Sequence, residues 1–247
     1  MRLLVSVRSA AEVAAAVEGG AGVVDAKEPS RGSLGAVTPR VLHEIARAVA
    51  GRVPLSIALG DPAAPAEAAR AVSTALEAAA PWAGPLYLKL GLARARHLGG
   101  LVLGSAVETA ADAGTGARVI VTAYADHAAA SAPAREVAVR LAAEAGAHGV
   151  LLDTWAKDGR TLFDHVSVTA LRAWIDRCRA HGLLVALAGS LDHGGVRRAA
   201  VLGPDVVGVR GAACSGGRGG RVDPERVRRL RAALDRSDTV TQMAAGT

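Results

Sequence analysis

Three lysines stand apart in this chain. Among its 29 basic side chains only Lys27, Lys89 and Lys157 are lysines, and all the others are arginines. Arginine stays protonated and is a poor nucleophile, whereas a lysine amine can lose its proton and attack a carbonyl carbon. Lysines kept against such a bias point to chemistry that a guanidinium cannot perform. Acids stand near two of them. Asp25 and Lys27 are two apart in GVVDAKEPSRGSLGA, and Asp153 precedes Lys157 in LLDTWAKDGR. A second ammonium lowers a lysine's pKa and frees its amine, while a carboxylate holds or tunes it. The pattern suits a Schiff-base reaction.

A second set of residues suits anions. ALAGS carries Gly189 and Ser190, and VVGVRGAACSGGRGG carries Arg210 and Gly211. Glycine-rich turns at a helix start present backbone N–H groups to a phosphate, and Arg210 would add a bidentate donor. Ser33, in Ser30-Arg31-Gly32-Ser33, would hold a further anion. Asp25, Asp61, Asp126 and Asp153 could in principle gather a magnesium ion, but the interleaved lysines oppose a dication, so no metal is expected and no cofactor is called for. Cys178 and His181 form a C-x-x-H pair without a second ligand pair, which reads as a helix face rather than zinc. Cys214 reads as a small packing residue. Trp155 and Phe163 flank Lys157, as a lid or as ordinary packing.

Short β-branched runs alternate with longer alanine-rich segments and must position these groups. Strands are predicted at 3–7, 22–27, 54–59, 85–91, 117–124, 149–154, 183–188 and 206–211. Helices are predicted at 9–19, 38–50, 65–80, 93–112, 131–145, 167–181, 191–202 and 223–236. Near-continuous apolar strands imply burial on both faces, as in a parallel sheet. Eight β-then-α units in a row predict a closed, eight-stranded parallel (β/α)8 TIM barrel as a single domain over 1–236, with a flexible C-terminal tail over 237–247. A doubly wound open sheet fits less well, because no G-x-G-x-x-G follows the first strand. In a barrel, Lys27 and Lys89 end strands two and four, and Lys157 follows strand six. All three then sit at the end where barrel sites are built. Asp25 with Lys27, and Tyr87 with Lys89, share one strand face at i, i+2. Ser9 and Glu12 have capping-box spacing, and Asp223-Pro224 opens the last helix.

Bulk properties narrow the function classes. The net charge is +6 and the pI about 10.1, while only six aromatic residues are present. Without arginine–aromatic interleaving, nucleic acid is not an expected partner, and a small phosphorylated substrate is. No apolar run reaches the roughly 20 residues of a membrane span, so no membrane role is expected. The N-terminus enters a strand-like run at once, and the two cysteines give no disulfide framework. These point to a cytoplasmic protein, with room for a homo-oligomer.

The stretches LLVSV…GGAGVVDAKEPSRGSLGA, YLKLGL, LLDTWAKDGRTLFD and ALAGS…DVVGVRGAACSGG…GRVD resemble the (5-formylfuran-3-yl)methyl phosphate synthase family. Its members are also called 4-(hydroxymethyl)-2-furancarboxaldehyde-phosphate synthases, of methanofuran biosynthesis. The resemblance spans nearly the whole chain. It implies an aldolase-like lyase that condenses two glyceraldehyde 3-phosphate molecules, with loss of phosphate and water. It further implies Lys27 as the Schiff-base residue, Asp25 beside it, and Lys89, Lys157 and Asp153 in the same site. The segments GDPAAPAEAARAVS and ADHAAASAP carry no recognisable motif, so substrate detail is less defined than reaction class. Two other readings are a class I aldolase acting on another phosphorylated aldehyde, and a non-catalytic barrel that binds a phosphorylated ligand. A binder would have no need of lysine over arginine at these positions.

Overall fold

The eight apolar runs pair side by side because each buries both faces and has no water to satisfy its backbone. In the computed structural model, which describes residues 1–80 and 82–245 and side chains as far as 236, they form strands β1 (Arg2–Val7), β2 (Val23–Ala26), β3 (Leu55–Ala58), β4 (Leu86–Gly91), β5 (Arg118–Tyr124), β6 (Gly149–Asp153), β7 (Leu184–Leu187) and β8 (Val206–Val209). All are parallel and follow chain order, and β8 returns to pair with β1, so the sheet closes into a barrel. The predicted TIM-barrel class is the observed one. All eight strands fall within one or two residues of their expected ends, the largest difference being at β8, which stops at Val209.

Alternation along each strand sorts side chains between two cores. Leu3, Val5, Val24 and Leu88 face outward into a shell shared with the helices, and all are fully buried. Full burial of each such side chain contributes roughly 1.5–3 kcal/mol. The alternate positions point inward. Tyr87, Ile120, Leu151, Ala186 and Val206 cluster inside the barrel. Register places Ser6, Asp25, Ser56 and Tyr87 side by side on four successive strands. Tyr124 similarly lies beside Asp153.

Between strands run α1 (Val13–Glu18), α2 (Pro39–Val49), α3 (Pro65–Ala78), α4 (Gly99–Asp112), α5 (Arg135–Glu144), a short α6 (Leu162–His165), α7 (Val168–Ala180), α8 (His193–Val201) and α9 (Pro224–Ala245). Thr38 caps α2 ahead of Pro39, and Asp223 caps α9 by accepting from the N–H groups of Glu225 and Arg226. The helix expected at 93–112 begins only at Gly99, because Arg94 takes a left-handed φ of 63° in the preceding loop. The expected capping box at Ser9 does not form. Ser9 makes no side-chain cap, and Glu12 turns away to accept from the Arg8 N–H and from Arg210. Two elements escaped the periodicity: α6, and an antiparallel pair, β9 (Cys214–Ser215) with β10 (Arg221–Val222), folded out of the loop after β8. The backbone of α9 continues to Ala245. The flexible tail expected over 237–247 otherwise lies outside the described residues. Among the described residues no helix is long and apolar enough to cross a membrane.

Candidate active site

Five of the sequence-predicted groups meet at one cavity of about 280 Å³ at the C-terminal end of the barrel: Asp25, Lys27, Lys89, Asp153 and Lys157. β2 delivers Asp25, and Lys27 follows it by one residue. β4 delivers Lys89, and β6 ends on Asp153. Lys157 reaches back from the loop that follows. The two carboxylates occupy separate lysines. Lys89 Nζ lies 2.7 Å from Asp25 Oδ1, and the Ser6 hydroxyl donates to Asp25 Oδ2 at 2.8 Å. Lys157 Nζ donates to Asp153 Oδ1 at 2.9 Å, to the Thr154 carbonyl at 2.6 Å and to the Thr154 hydroxyl at 3.0 Å.

Lys27 is left over. It is 7% exposed and, among the described residues, its amine makes no ion pair or hydrogen bond. Burial brings its pKa down from 10.5 to about 8; the Asp153 and Asp25 charges oppose the fall, and Lys89 and Lys157 assist it. Burial pushes both carboxyls up, but the ammonium groups outweigh it. Lys89 and Lys27 hold Asp25 below the usual carboxylate range, and Lys157 and Lys27 bring Asp153 to about 2. The cluster thus holds two anions, two ion-paired cations and one amine that gives up its proton at about pH 8 rather than 10.5.

The anion-handling set is only partly as expected. Gly189, Ser190, Arg210 and Gly211 all line the cavity. The chain turns sharply there, with φ of 112° at Gly189 and 50° at Ser190, the latter a left-handed value that costs a serine energy. α8 does not open at Ser190 but at His193, capped by Asp192, whose carboxylate accepts from the Gly195 N–H.

Arg210 is a correction. Its guanidinium is 5% exposed, and all five N–H donors go to protein acceptors: both Glu12 oxygens and the carbonyls of Ser6, Gly220 and Arg218. It has no donor left for a phosphate and instead ties the end of the chain to its start. Ser33 is a second correction. It is 2% exposed and donates to Asp153 Oδ2 and the Thr154 carbonyl, so it braces the acid that holds Lys157 rather than binding an anion.

Arg218, which the sequence reading passed over, stands where Arg210 was expected. One of its terminal nitrogens donates to the Pro29 and Gly32 carbonyls, at 3.1 and 2.7 Å. Its other nitrogens have no protein acceptor among the described residues, and the side chain lines the cavity. Burial lowers its pKa, while Asp153 counters. The only sequence signal was a second arginine inside GGRGG, which looks no different from the first.

Neighbouring acids brace the rim. Asp126 accepts from the N–H groups of Trp155 and Ala156 at 2.7 and 2.8 Å, fixing the loop that carries Lys157. Asp61 accepts from the Tyr124 hydroxyl at 2.6 Å and the Ala93 N–H at 3.1 Å. Trp155 and Phe163 do not line the cavity; Phe163 instead packs under Arg198, 4.0 Å from the ring centre. Cys178 is fully buried, and burial pushes its thiol up to about 12. Among the described residues no group of three His, Cys, Asp or Glu is placed to hold a metal ion.

A closed parallel barrel with a buried amine among paired charges at its C-terminal end defines a (β/α)8 protein with a three-lysine cavity. Its fold resembles that of 3-hexulose-6-phosphate synthase from Salmonella typhimurium, with a TM-score of 0.63 over 96% of this chain and 100% of that one, at 18% identity. The chain belongs to the 4-HFC-P synthase family, whose model matches residues 3–231. It is 37% identical over 241 residues to the (5-formylfuran-3-yl)methyl phosphate synthase of Methanothermobacter thermautotrophicus, covering 95% of this chain and 99% of that protein. Against the protein of the same name from Methanopyrus kandleri it is 39% identical over 239 residues, covering 94% and 98%.

Proposed function

We propose that this protein condenses two molecules of glyceraldehyde 3-phosphate to (5-formylfuran-3-yl)methyl phosphate through a Schiff base on Lys27. The observation that carries the reading is the unpartnered, buried Lys27 amine, with a pKa brought to about 8, between the Asp25–Lys89 and Asp153–Lys157 pairs. The names of its relatives supply the product. Two triose phosphates carry the atoms of the furan phosphate plus one phosphoric acid and two waters. The reaction therefore needs neither oxidant nor reductant.

Neutral Lys27 attacks a triose phosphate carbonyl and expels water as the imine forms. Loss of a proton from the adjacent carbon gives an enamine, which adds to the aldehyde of the second triose phosphate. The Asp25–Lys89 pair and the Asp153–Lys157 pair each offer an ammonium to a developing oxyanion and a carboxylate to a departing proton. Arg218 and the turns at Gly189 and Gly211 hold phosphate at the rim. Elimination of the second triose's phosphate, ring closure and dehydration form the furan, and water hydrolyses the imine to free Lys27.

The experiment is borohydride reduction with glyceraldehyde 3-phosphate, followed by peptide mass analysis. A triose adduct on Lys27, together with a furan absorbance in the unreduced reaction, is the expected result. Active enzyme with an unmodified Lys27 would reject the covalent step. A Lys27 adduct without furan product would favour an aldolase acting on another phosphorylated aldehyde.

A further inference from the structure

The cavity does not end at the lysines. Val23, Tyr87 and Leu151 also line it, each two residues earlier on its strand than Asp25, Lys89 and Asp153. Two residues of tilted strand correspond to a depth of roughly 5 Å. Below the charged cluster, then, lies a chamber inside the barrel, walled by aliphatic side chains such as Ile120 and Val206 and kept open by the small Ala186 and Gly208. One polar atom at its upper level has nothing to bond. Ser56 is 1% exposed, lines the cavity, and among the described residues its Oγ has no hydrogen-bond partner. Its neighbours in register are both engaged: Asp25 by Ser6 and Lys89, and the Tyr87 hydroxyl by Arg2 from beneath, at 3.4 Å. Buried hydroxyls are expected to be paired. A serine kept unpaired between the engaged Asp25 and Tyr87, at the top of the aliphatic chamber, therefore calls for a ligand oxygen.

We infer that this chamber is a subsite for the uncharged, formyl-bearing half of the condensing skeleton, with the Ser56 hydroxyl donating to its oxygen. The inference rests on the proposed reaction. In the product, the three-carbon unit that bears the formyl group is the one that has lost its phosphate. A phosphate dianion cannot enter walls that offer it no cation. An aldehyde or ring carbon with one hydrogen-bond acceptor matches them. The ligand then spans the cavity: carbon end down past the lysines, phosphate ester up toward Arg218. The chamber selects the dephosphorylated half and keeps bulk water from the dehydrating ring.

Two variants test this. Ser56→Ala removes the unpaired hydroxyl, so the free protein keeps or gains melting temperature, while affinity for (5-formylfuran-3-yl)methyl phosphate and kcat/KM both fall about tenfold. Product affinity and kcat/KM within twofold of the parent overturn the inference. Ala186→Leu fills the chamber. Furan formation is lost, but borohydride still fixes a triose adduct on Lys27; undiminished furan formation overturns the inference. Should Ala186→Leu fail to fold, Ser56→Ala decides alone. Failure of the parent protein to give the Lys27 adduct would sink the Schiff-base reading instead, and the effect of Ser56→Ala on product binding is read independently of it.

Discussion

Lys89 Nζ sits 2.7 Å from Asp25 Oδ1, and that contact leaves Lys27 without a counter-ion. Asp25 precedes Lys27 by two residues on the same strand face, so the local sequence offers it as Lys27's partner. The barrel instead brings a lysine from β4 across to take the carboxylate. Lys27 then feels burial and two neighbouring ammonium groups with no direct anionic contact, which is why its pKa falls toward neutrality.

Removing Lys89 should reverse this. In Lys89→Met the Asp25 carboxylate turns its attraction on Lys27, and one repelling ammonium is gone. Both changes raise the Lys27 pKa. The kcat/KM profile of the parent rises with pH to a plateau above about 8. In the variant the rise moves up by about one unit, and imine trapping at pH 7 slows about tenfold. An unmoved profile would show that another group sets that limb.

The same shift acts on stability. Between pH 8 and 10.5 the unfolded chain holds a proton on Lys27 that the folded chain has lost. Stability therefore rises through that window, by about 3 kcal/mol from this group alone. Asp153, held at about 2, acts in the same direction at the acid end of the range. Its contribution is complete above the ordinary 3.8 and is lost as pH falls toward 2. Thermal melts of the parent and Lys27→Met from pH 7 to 10.5 check the first effect: the variant should lack the rise and melt no lower than the parent at pH 7.

Arg210 and Arg218 should separate cleanly. Arg210→Met leaves Glu12 charged and buried, which costs about 3–5 kcal/mol of stability. Arg218→Met removes a cation from the cavity rim, raising KM for the phosphorylated substrate about tenfold or more and weakening inorganic phosphate as an inhibitor. Denaturant melts and steady-state kinetics on both variants check the assignment. A KM effect at Arg210 without loss of stability would exchange the two roles.

Ser33 acts through Asp153. Ser33→Ala frees Asp153 Oδ2, so the carboxylate and the Lys157 it holds lose one fixed orientation. The expected outcome is a several-fold fall in kcat with little change in KM, at a stability cost of about 1 kcal/mol. A change confined to KM would mean that Ser33 meets substrate after all.

The strands were legible because β/α repetition leaves a strong signature: apolar runs of similar length, each followed by an alanine-rich helix. The lysines were legible because arginine is otherwise the chain's cation and strand ends are where barrel sites form. Which cation holds which anion was not legible. Glu12 and Arg210 are 198 positions apart, and nothing at either position announces the other. Ser9 with Glu12 had the spacing of a cap, but the Glu12 carboxylate takes the Arg8 N–H and the buried Arg210 guanidinium rather than the Ser9 N–H. Ser33 lies 120 positions before Asp153 and was read from its basic neighbours alone. Ser56 carried no signal, since an isolated serine in a strand looks like any other until its empty surroundings are seen.

The seam between β8 and β1, fastened by Arg210 on Glu12, also sets the order in which reactivity can arise. During synthesis β2 and its lysine leave the ribosome long before β8 exists. Contacts of such long range form late in folding. Until the cylinder shuts, Lys27 stays hydrated and protonated like any exposed lysine. Under the proposed mechanism an unfinished or truncated chain thus holds no attacking amine, and a cell's free aldehydes meet the Lys27 amine only once the last strand has locked home.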